Sequence, residues 1–308
     1  MSPLRRSLLG LYQGATASLR MRAVRRLAKL GRAPVCVLFY HRVADTNPND
    51  WTLSHQAFRR QIDWLSRRFD VVSLQEAQRR LGAGASRRPA VAITFDDGYG
   101  ENCDYAIPLL LRRGLPFTYF VSTQIIRDQT AFPHDLAAGV RLRPNSLTEL
   151  RAMAAAGVEI GAHTRTHPDL GRSTDADWLR EEIVGSIEDI TTWTGKRPRS
   201  FAFPFGQVEN LTPEAMQIAR DAGVRVVCSA YGAYNQPERV SKERGPFHLR
   251  RIHADPEWVR FTNWMTIDPR KLLAADPIDD DAYLSGLSSG PVAADDAPLL
   301  LPAEAVDG

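Results

Sequence analysis

The sequence predicts an α/β fold, a (β/α) barrel of about seven parallel strands, and three observations carry that prediction. Short apolar runs such as VCVLFY at residues 35–40 and VAITF at residues 91–95 recur along the chain and are too continuous for half-exposed strands. The helical stretches between them stop at Gly114, Gly157, Gly195 and Gly223 and lead straight into the next apolar run. Polar residues then fall at strand ends, His41, Asp96, Asp97 and His163 among them, which is where parallel α/β folds gather their chemistry. A doubly wound open sheet satisfies the first two observations equally.

Taken in order, residues 1–32 place Leu8, Leu9, Leu11, Met21, Val24, Leu27 and Leu30 at roughly helical spacing among arginines. The run is too short to span a bilayer, and LLGLYQGATA is a poor signal-peptide core even though Ala15 and Ala17 imitate a cleavage site. Two readings stand: a basic amphipathic helix on an anionic membrane, and a solvated helix packed on the domain. From residue 33 strand and helix alternate. Phe58, Ile62, Leu65 and Phe69 mark one helix face, while Ser73 with Glu76 and Ser146 with Glu149 read as capping boxes. Strands are expected at 117–121, 158–162, 200–203, 224–228 and 249–252, with helices from Thr174, from Thr212-Pro213 and from Asp255-Pro256. Residues 124–145 form a long loop, a candidate lid or substrate wall carrying Phe132, Pro133 and His134. Residues 269–308, rich in Asp, Ala, Pro, Ser and Gly, read as an acidic, disordered tail beyond a domain at 33–268.

Composition excludes several classes. With 308 residues, 44% hydrophobic and 24% charged, the chain has material for one large domain or two small ones. Its net charge of +3 hides opposed ends, a basic start without acids and an acidic end without bases, so nucleic acid is not an expected partner. Cys36, Cys103 and Cys228 are odd in number and set in apolar surroundings, which suits reduced packing residues and a cytoplasmic location, peripheral at the membrane; secretion is the minor alternative.

Candidate chemistry begins at the end of VAITF, where Asp96 and Asp97 follow an apolar strand and Gly98 permits a sharp exit. Adjacent side chains on an extended chain point to opposite sides, so each carboxylate can meet a different partner. Metal ligand and general base are the two roles open to them. His163-Thr-Arg-Thr-His167 offers a second pair, two imidazoles four residues apart, expected on one helical turn and able to share an ion with a strand-end carboxylate. Three protein ligands suit a catalytic rather than a closed structural site.

The order Thr94-Phe95-Asp96-Asp97-Gly98, His163-Thr164-x-x-His167 and Phe203-Pro204-Phe205-Gly206 resembles the polysaccharide deacetylases, the NodB-like enzymes of carbohydrate esterase family 4. The resemblance covers residues 35–267 and implies a deformed (β/α) barrel that removes N-acetyl groups from a saccharide. It implies a divalent metal, usually zinc with cobalt, nickel or manganese as alternatives, held by Asp97, His163 and His167 with Asp96 as catalytic base. The Phe205 backbone N–H becomes the candidate oxyanion donor, and His41, Tyr99, Pro204 and Phe205 the candidate substrate-facing residues. Where family members often carry Arg in the third motif this chain has Ala202, and Arg199, Arg250 or Arg251 must substitute. Arg251 is the best placed, because Arg250 faces oppositely and Arg199 precedes its strand. The late strand reads Leu249-Arg-Arg-Ile-His253 in place of L-x-H, which makes His253 the candidate proton donor with His41 in competition. The alternatives are an amidase on a non-sugar amide and a catalytically silent sugar-binding or membrane-recruited barrel.

Overall fold

A computed structural model describes residues 2–237 and 245–278. Its main sheet contains β1 (Val35–Tyr40), β2 (Asp70–Val72), β3 (Ala90–Phe95), β4 (Thr118–Val121), β5 (Glu159–Ala162), β6 (Ser200–Ala202), β7 (Val226–Cys228), β8 (His248–Leu249) and β9 (Ile252–His253). All pairings are parallel, in the order β8-β7-β6-β5-β4-β3-β1-β9, with β2 also on β3. The late strand expected at 249–252 is in fact broken: β8 pairs with β7 at one edge, β9 with β1 at the other, and Arg250-Arg251 bridges them. The curled sheet is thereby brought round on itself, and this break sets the position of Arg251. The resulting deformed (β/α) barrel agrees with the expected fold class.

Residues alternate between two apolar layers, as the pleat requires. Cys36, Leu38, Tyr40, Val91, Ile93 and Phe95 pack outward beneath helices that include α2 (His55–Ser66). Val35, Val37, Ala90 and Ala92 join Phe120, Ala202, Cys228 and Leu249 inside. Leu74, Ala77 and Leu81 of α3 (Leu74–Gly82) enter the same inner cluster, while Gln78 Nε2 donates to the carbonyls of Arg225 and Pro246. Helix α3 therefore closes the end of the barrel where the strands begin, leaving the opposite end for chemistry.

Caps follow the sequence at Ser146 and Thr212 and differ elsewhere: the helix expected from Thr174 is capped by Asp175, and the one expected from Asp255-Pro256 begins at Trp258 after Glu257 without a side-chain cap. Ser146 and Glu149 form a full capping box at α5 (Leu147–Ala155), which is separated from α4 (Ala106–Arg112) by two short helices. At α3 only the Ser73 half forms, because the Glu76 carboxylate is taken by Arg79 and Arg80. Helix α6 (Ala176–Thr194) starts at an Asp175 cap and ends on Gly195 at φ 70°, and α7 (Pro213–Asp221) starts at Thr212. The expected loop at 124–145 holds two short helices, Thr123–Asp128 and Pro133–Ala137, with Phe132 buried between them and Tyr99.

The C-terminal end differs from expectation; the N-terminal end holds the expected helix. Pro3–Lys29 forms one long helix, α1, the N-terminal helix, lying along α8 (Trp258–Met265). The acidic tail does not begin at 269: Gln236 donates to the Leu272 carbonyl, Arg250 to those of Ala274 and Ala275, and Asp276 accepts from Tyr231. Residues 271–278 are thus tied to the barrel, because a short acid-bearing segment finds a cluster of buried donors. The remainder of the expected tail lies outside the described residues.

Candidate active site and metal-ligand cluster

Asp96 and Asp97 follow the end of β3 at the open end and diverge, though by a turn at Asp97 and not by the extended-strand alternation expected. Asp97 has φ 73°, a costly conformation for a residue with a Cβ, and Gly98 follows at φ 89°. That turn sends Asp97 toward the histidines. Its Oδ1 lies 3.4 Å from His163 Nε2 and 3.3 Å from His167 Nε2.

These three atoms fit a divalent cation. All lie within 4.8 Å of one another, and buried Asp97 Oδ1 has no hydrogen-bond partner among the described residues despite the two nitrogens beside it. His163 Nδ1 is 2.7 Å from the Ala202 carbonyl, so it carries the proton and leaves the Nε2 lone pair facing Asp97. Burial works against ionising Asp97, but the two imidazoles more than offset it and hold the carboxyl well below its usual range. Deprotonated carboxylate and neutral Nε2 are the states that ligands require.

The histidine segment is not a helical turn. It is an irregular loop in which Thr164 and His167 have φ of 65° and 61°. Thr164 Oγ1 accepts from the His167 N–H at 3.0 Å, and the buried Glu182 of α6 accepts the N–H groups of Arg165 and Thr166, each at 2.9 Å. Glu182 also accepts from the Thr166 hydroxyl at 2.6 Å. One turn pair further along α6, Asp189 takes Arg165, Arg127 and the Thr123 hydroxyl. A carboxylate that satisfies two successive loop amides sets the loop's conformation, and with it the approach of the ligands. Glu182→Gln keeps the shape but turns one acceptor into a donor, and it is expected to weaken zinc affinity by roughly 10- to 100-fold. Competition titration with a chromophoric chelator measures this; an unchanged affinity would remove Glu182 from the positioning role.

Asp96 turns inward and meets Arg251. The guanidinium is fully buried, donates from its two terminal nitrogens to Oδ1 at 2.6 Å and Oδ2 at 2.8 Å, and also reaches Thr94 Oγ1 and the Ser229 carbonyl. It lies over Phe39 and Phe120, 4.8 and 5.5 Å from their ring centroids, where the small inward residues Ala92 and Ala202 leave room. With Ala202 at the position where the sequence pattern led to an expected Arg, the guanidinium comes here from the barrel closure. Arg250 is committed to Ala274, Ala275 and Tyr234, and Arg199 lies where β6 begins, remote from the mouth. Burial raises the Asp96 pKa and Arg251 overcomes it, for a net lowering.

His41, His253 and Trp51 form one side of the mouth. Trp51 lies 4.8 Å from His41 and 4.9 Å from His253 between ring centroids, and the imidazoles are 6.2 Å apart. His41 Nδ1 and His253 Nε2 are buried without partners among the described residues. Burial depresses both, His253 to about 4, so they are neutral at pH 7. Opposite them, Phe205 at φ 61° holds a 58%-exposed ring 5.3 Å from His167, and its N–H has no partner among the described residues. Gly206 makes that turn possible, since a Cβ there would lie 2.7 Å from the Ala230 nitrogen. Pro204 is buried beneath the turn.

Tyr99, expected to face substrate, does not do so. Its hydroxyl donates to Asp135 at 2.9 Å and lies 3.0 Å from His134 Nε2, which ties the 124–145 segment to the turn after Asp97. Half-exposed Trp51 was not anticipated by sequence; the only signal was an aromatic in the polar stretch Asn49-Asp50-Trp51-Thr52.

Comparison with known proteins agrees with this geometry. Residues 83–227 match the family model described as polysaccharide deacetylase. Putative polysaccharide deacetylase YxkH of Bacillus subtilis is 23% identical over 228 residues, 73% of this chain and 72% of that protein. A gellan lyase from a Bacillus species is 33% identical over 117 residues, 38% of this chain but only 4% of that much longer protein. Among solved structures, IcaB from Ammonifex degensii superposes with a TM-score of 0.62 at 23% identity, covering 76% of this chain and 97% of that one, which supports the fold.

Proposed function

We propose that this chain, whose residues 83–227 match the polysaccharide deacetylase family model, is a metal-dependent hydrolase of that kind, removing the acetyl group from an N-acetylated saccharide. The observation that carries the reading is the division of labour between neighbouring carboxylates: Asp97 joins His163 and His167 within 4.8 Å, while Asp96 is clamped by Arg251 beside them. A divalent ion held by Asp97, His163 and His167 supplies Lewis-acid polarisation of the amide carbonyl and lowers the pKa of water.

The remaining work falls to the chain itself. Asp96, ionised and held in one rotamer by Arg251, is the base that accepts a proton, an effect worth roughly 10² to 10⁴ in rate. The free N–H of Phe205 donates to the oxygen that becomes negative as the amide carbon turns tetrahedral. His253, neutral in the free protein because burial and His41 outweigh the charge of Asp96, is the group that would take the proton Asp96 has accepted from water and pass it to the departing amine. Trp51 and Phe205 offer exposed aromatic faces on either side of the cleft, walls against which the apolar face of a sugar ring can rest.

Acetate release from a panel of N-acetylated saccharides, with and without chelator, tests the reaction. Separate variants test the roles. Asp97→Asn is expected to lose metal and turnover together, whereas Asp96→Asn keeps its metal and loses kcat by roughly 10² or more. Loss of the ion from Asp96→Asn alone would reverse the two assignments.

A further inference from the structure

We propose that the outward face of the N-terminal helix is a docking surface for an anionic lipid bilayer, with its apolar end level with the catalytic mouth. The helix spans Pro3–Lys29 and has two distinct sides. Its inward side is engaged by α8: Arg20 is buried and donates to the Asn263 carbonyl and side chain, Gln13 accepts from Thr262, and Arg6 pairs with Glu257. The two helices therefore run in the same direction, and the first turns of the N-terminal helix lie beside Glu257, just past His253 at the strand end.

Among the described residues the outward side has no partner, and it is divided along its length. Leu4, Leu8, Leu11 and Leu19 share that face by helical spacing, and they are 70%, 56%, 71% and 64% exposed. The same face continues as Arg22, Arg26 and Lys29, all exposed. No acidic residue occurs among residues 1–32, so the leucine stripe runs into a field of one sign. A row of four exposed leucines is costly in water. An anionic bilayer accommodates both halves, because the leucines enter the headgroup boundary while the cations meet lipid phosphates. Among the described residues no helix is long and apolar enough to cross a membrane, so the contact is peripheral. Since the leucines occupy the end beside Glu257, docking brings the barrel mouth toward the bilayer and favours saccharide presented at the membrane surface, a consequence that rests on the deacetylase reading.

Flotation of the full chain with vesicles tests the surface. Binding is expected to phosphatidylcholine vesicles containing phosphatidylglycerol and not to phosphatidylcholine alone, and salt weakens it. The triple variant Arg22→Gln, Arg26→Gln, Lys29→Gln is expected to lower partitioning roughly 100-fold. The triple variant Leu4→Gln, Leu8→Gln, Leu11→Gln is expected to abolish flotation. All six positions are exposed, so thermal melts should match wild type, and acetate release from a soluble substrate should be unchanged in both variants. That activity control separates failure of the surface from failure of the deacetylase reading. Wild type that stays unbound, or variants that bind like wild type, overturns the proposal. A leucine variant that converts a sedimenting dimer to monomer, without vesicle binding by wild type, assigns the face to a second copy of the chain instead.

Discussion

Replacing Arg251 with Met is expected to lower stability by ~3 kcal/mol or more and to reduce kcat at least tenfold, about 1.4 kcal/mol in the barrier. Both effects have one cause. The substitution fills the space between Phe39 and Phe120 but removes two hydrogen bonds from Asp96, leaving a buried carboxylate with its partner gone. Burial then acts on Asp96 largely unopposed and raises its pKa, so the acidic limb of the rate profile moves to higher pH. The sign for stability follows. In wild type the folded pKa is depressed, so the contribution of the pair is complete above the unfolded value of about 4 and is lost as pH falls through the folded pKa. The stability gap between wild type and Arg251→Met should accordingly narrow on acidification below about pH 4. Urea melts across that range and a pH series of acetate release check both. A variant equal to wild type in kcat and pH profile would show that Asp96 needs no guanidinium.

The double variant His163→Ala, His167→Ala is expected to purify without its ion and to lose kcat/KM by roughly 10³ or more, ~4 kcal/mol. Removing both imidazoles leaves Asp97 as the single remaining ligand of the cluster, too few for retention of a divalent ion. Elemental analysis of wild type and variant gives the metal content independently of turnover. Folding should persist, because the inner cluster around Phe120 and the Arg251 clamp do not involve either histidine. Full metal occupancy in the double variant would refute the ligand assignment.

Several parts of this protein were legible from local patterns. Strands buried on both faces must read as continuous apolar runs, so β1 was located to the residue and β3 to within one residue at its start. Helix caps at Ser146 or Thr212 are contacts within three residues, and glycine stops reflect a positive φ at one position. The candidate ligand set was visible because strand ends in a parallel barrel converge, whatever the loops between them do.

Other parts depended on contacts between distant residues. Asp96 and Arg251 are 155 positions apart and meet because the last strand breaks, one half pairing with each edge of the curled sheet. No periodicity in Leu249-Arg-Arg-Ile-His253 distinguishes a broken strand from a continuous one, since the break is dictated by the space left to close the barrel. The histidine spacing suggested a helix, yet Glu182 from α6 satisfies two amides of that loop and makes an irregular path affordable. Likewise residues 271–278 stand at the head of a stretch whose overall composition reads as a tail, yet Arg250, Gln236 and Tyr231 supply donors for their carbonyls and for Asp276. Sequence by itself determined most of the strands and helices, and it placed Asp96, Asp97 and His163 at strand ends with Arg251 as the favoured partner of Asp96, because those are consequences of short-range sterics, strand alternation and burial. The tertiary structure alone decided the path that brings Arg251 to Asp96, the place of Trp51 and the acceptors of the histidine loop, because the cost of an unpaired buried group is settled by whatever the barrel brings within hydrogen-bond reach.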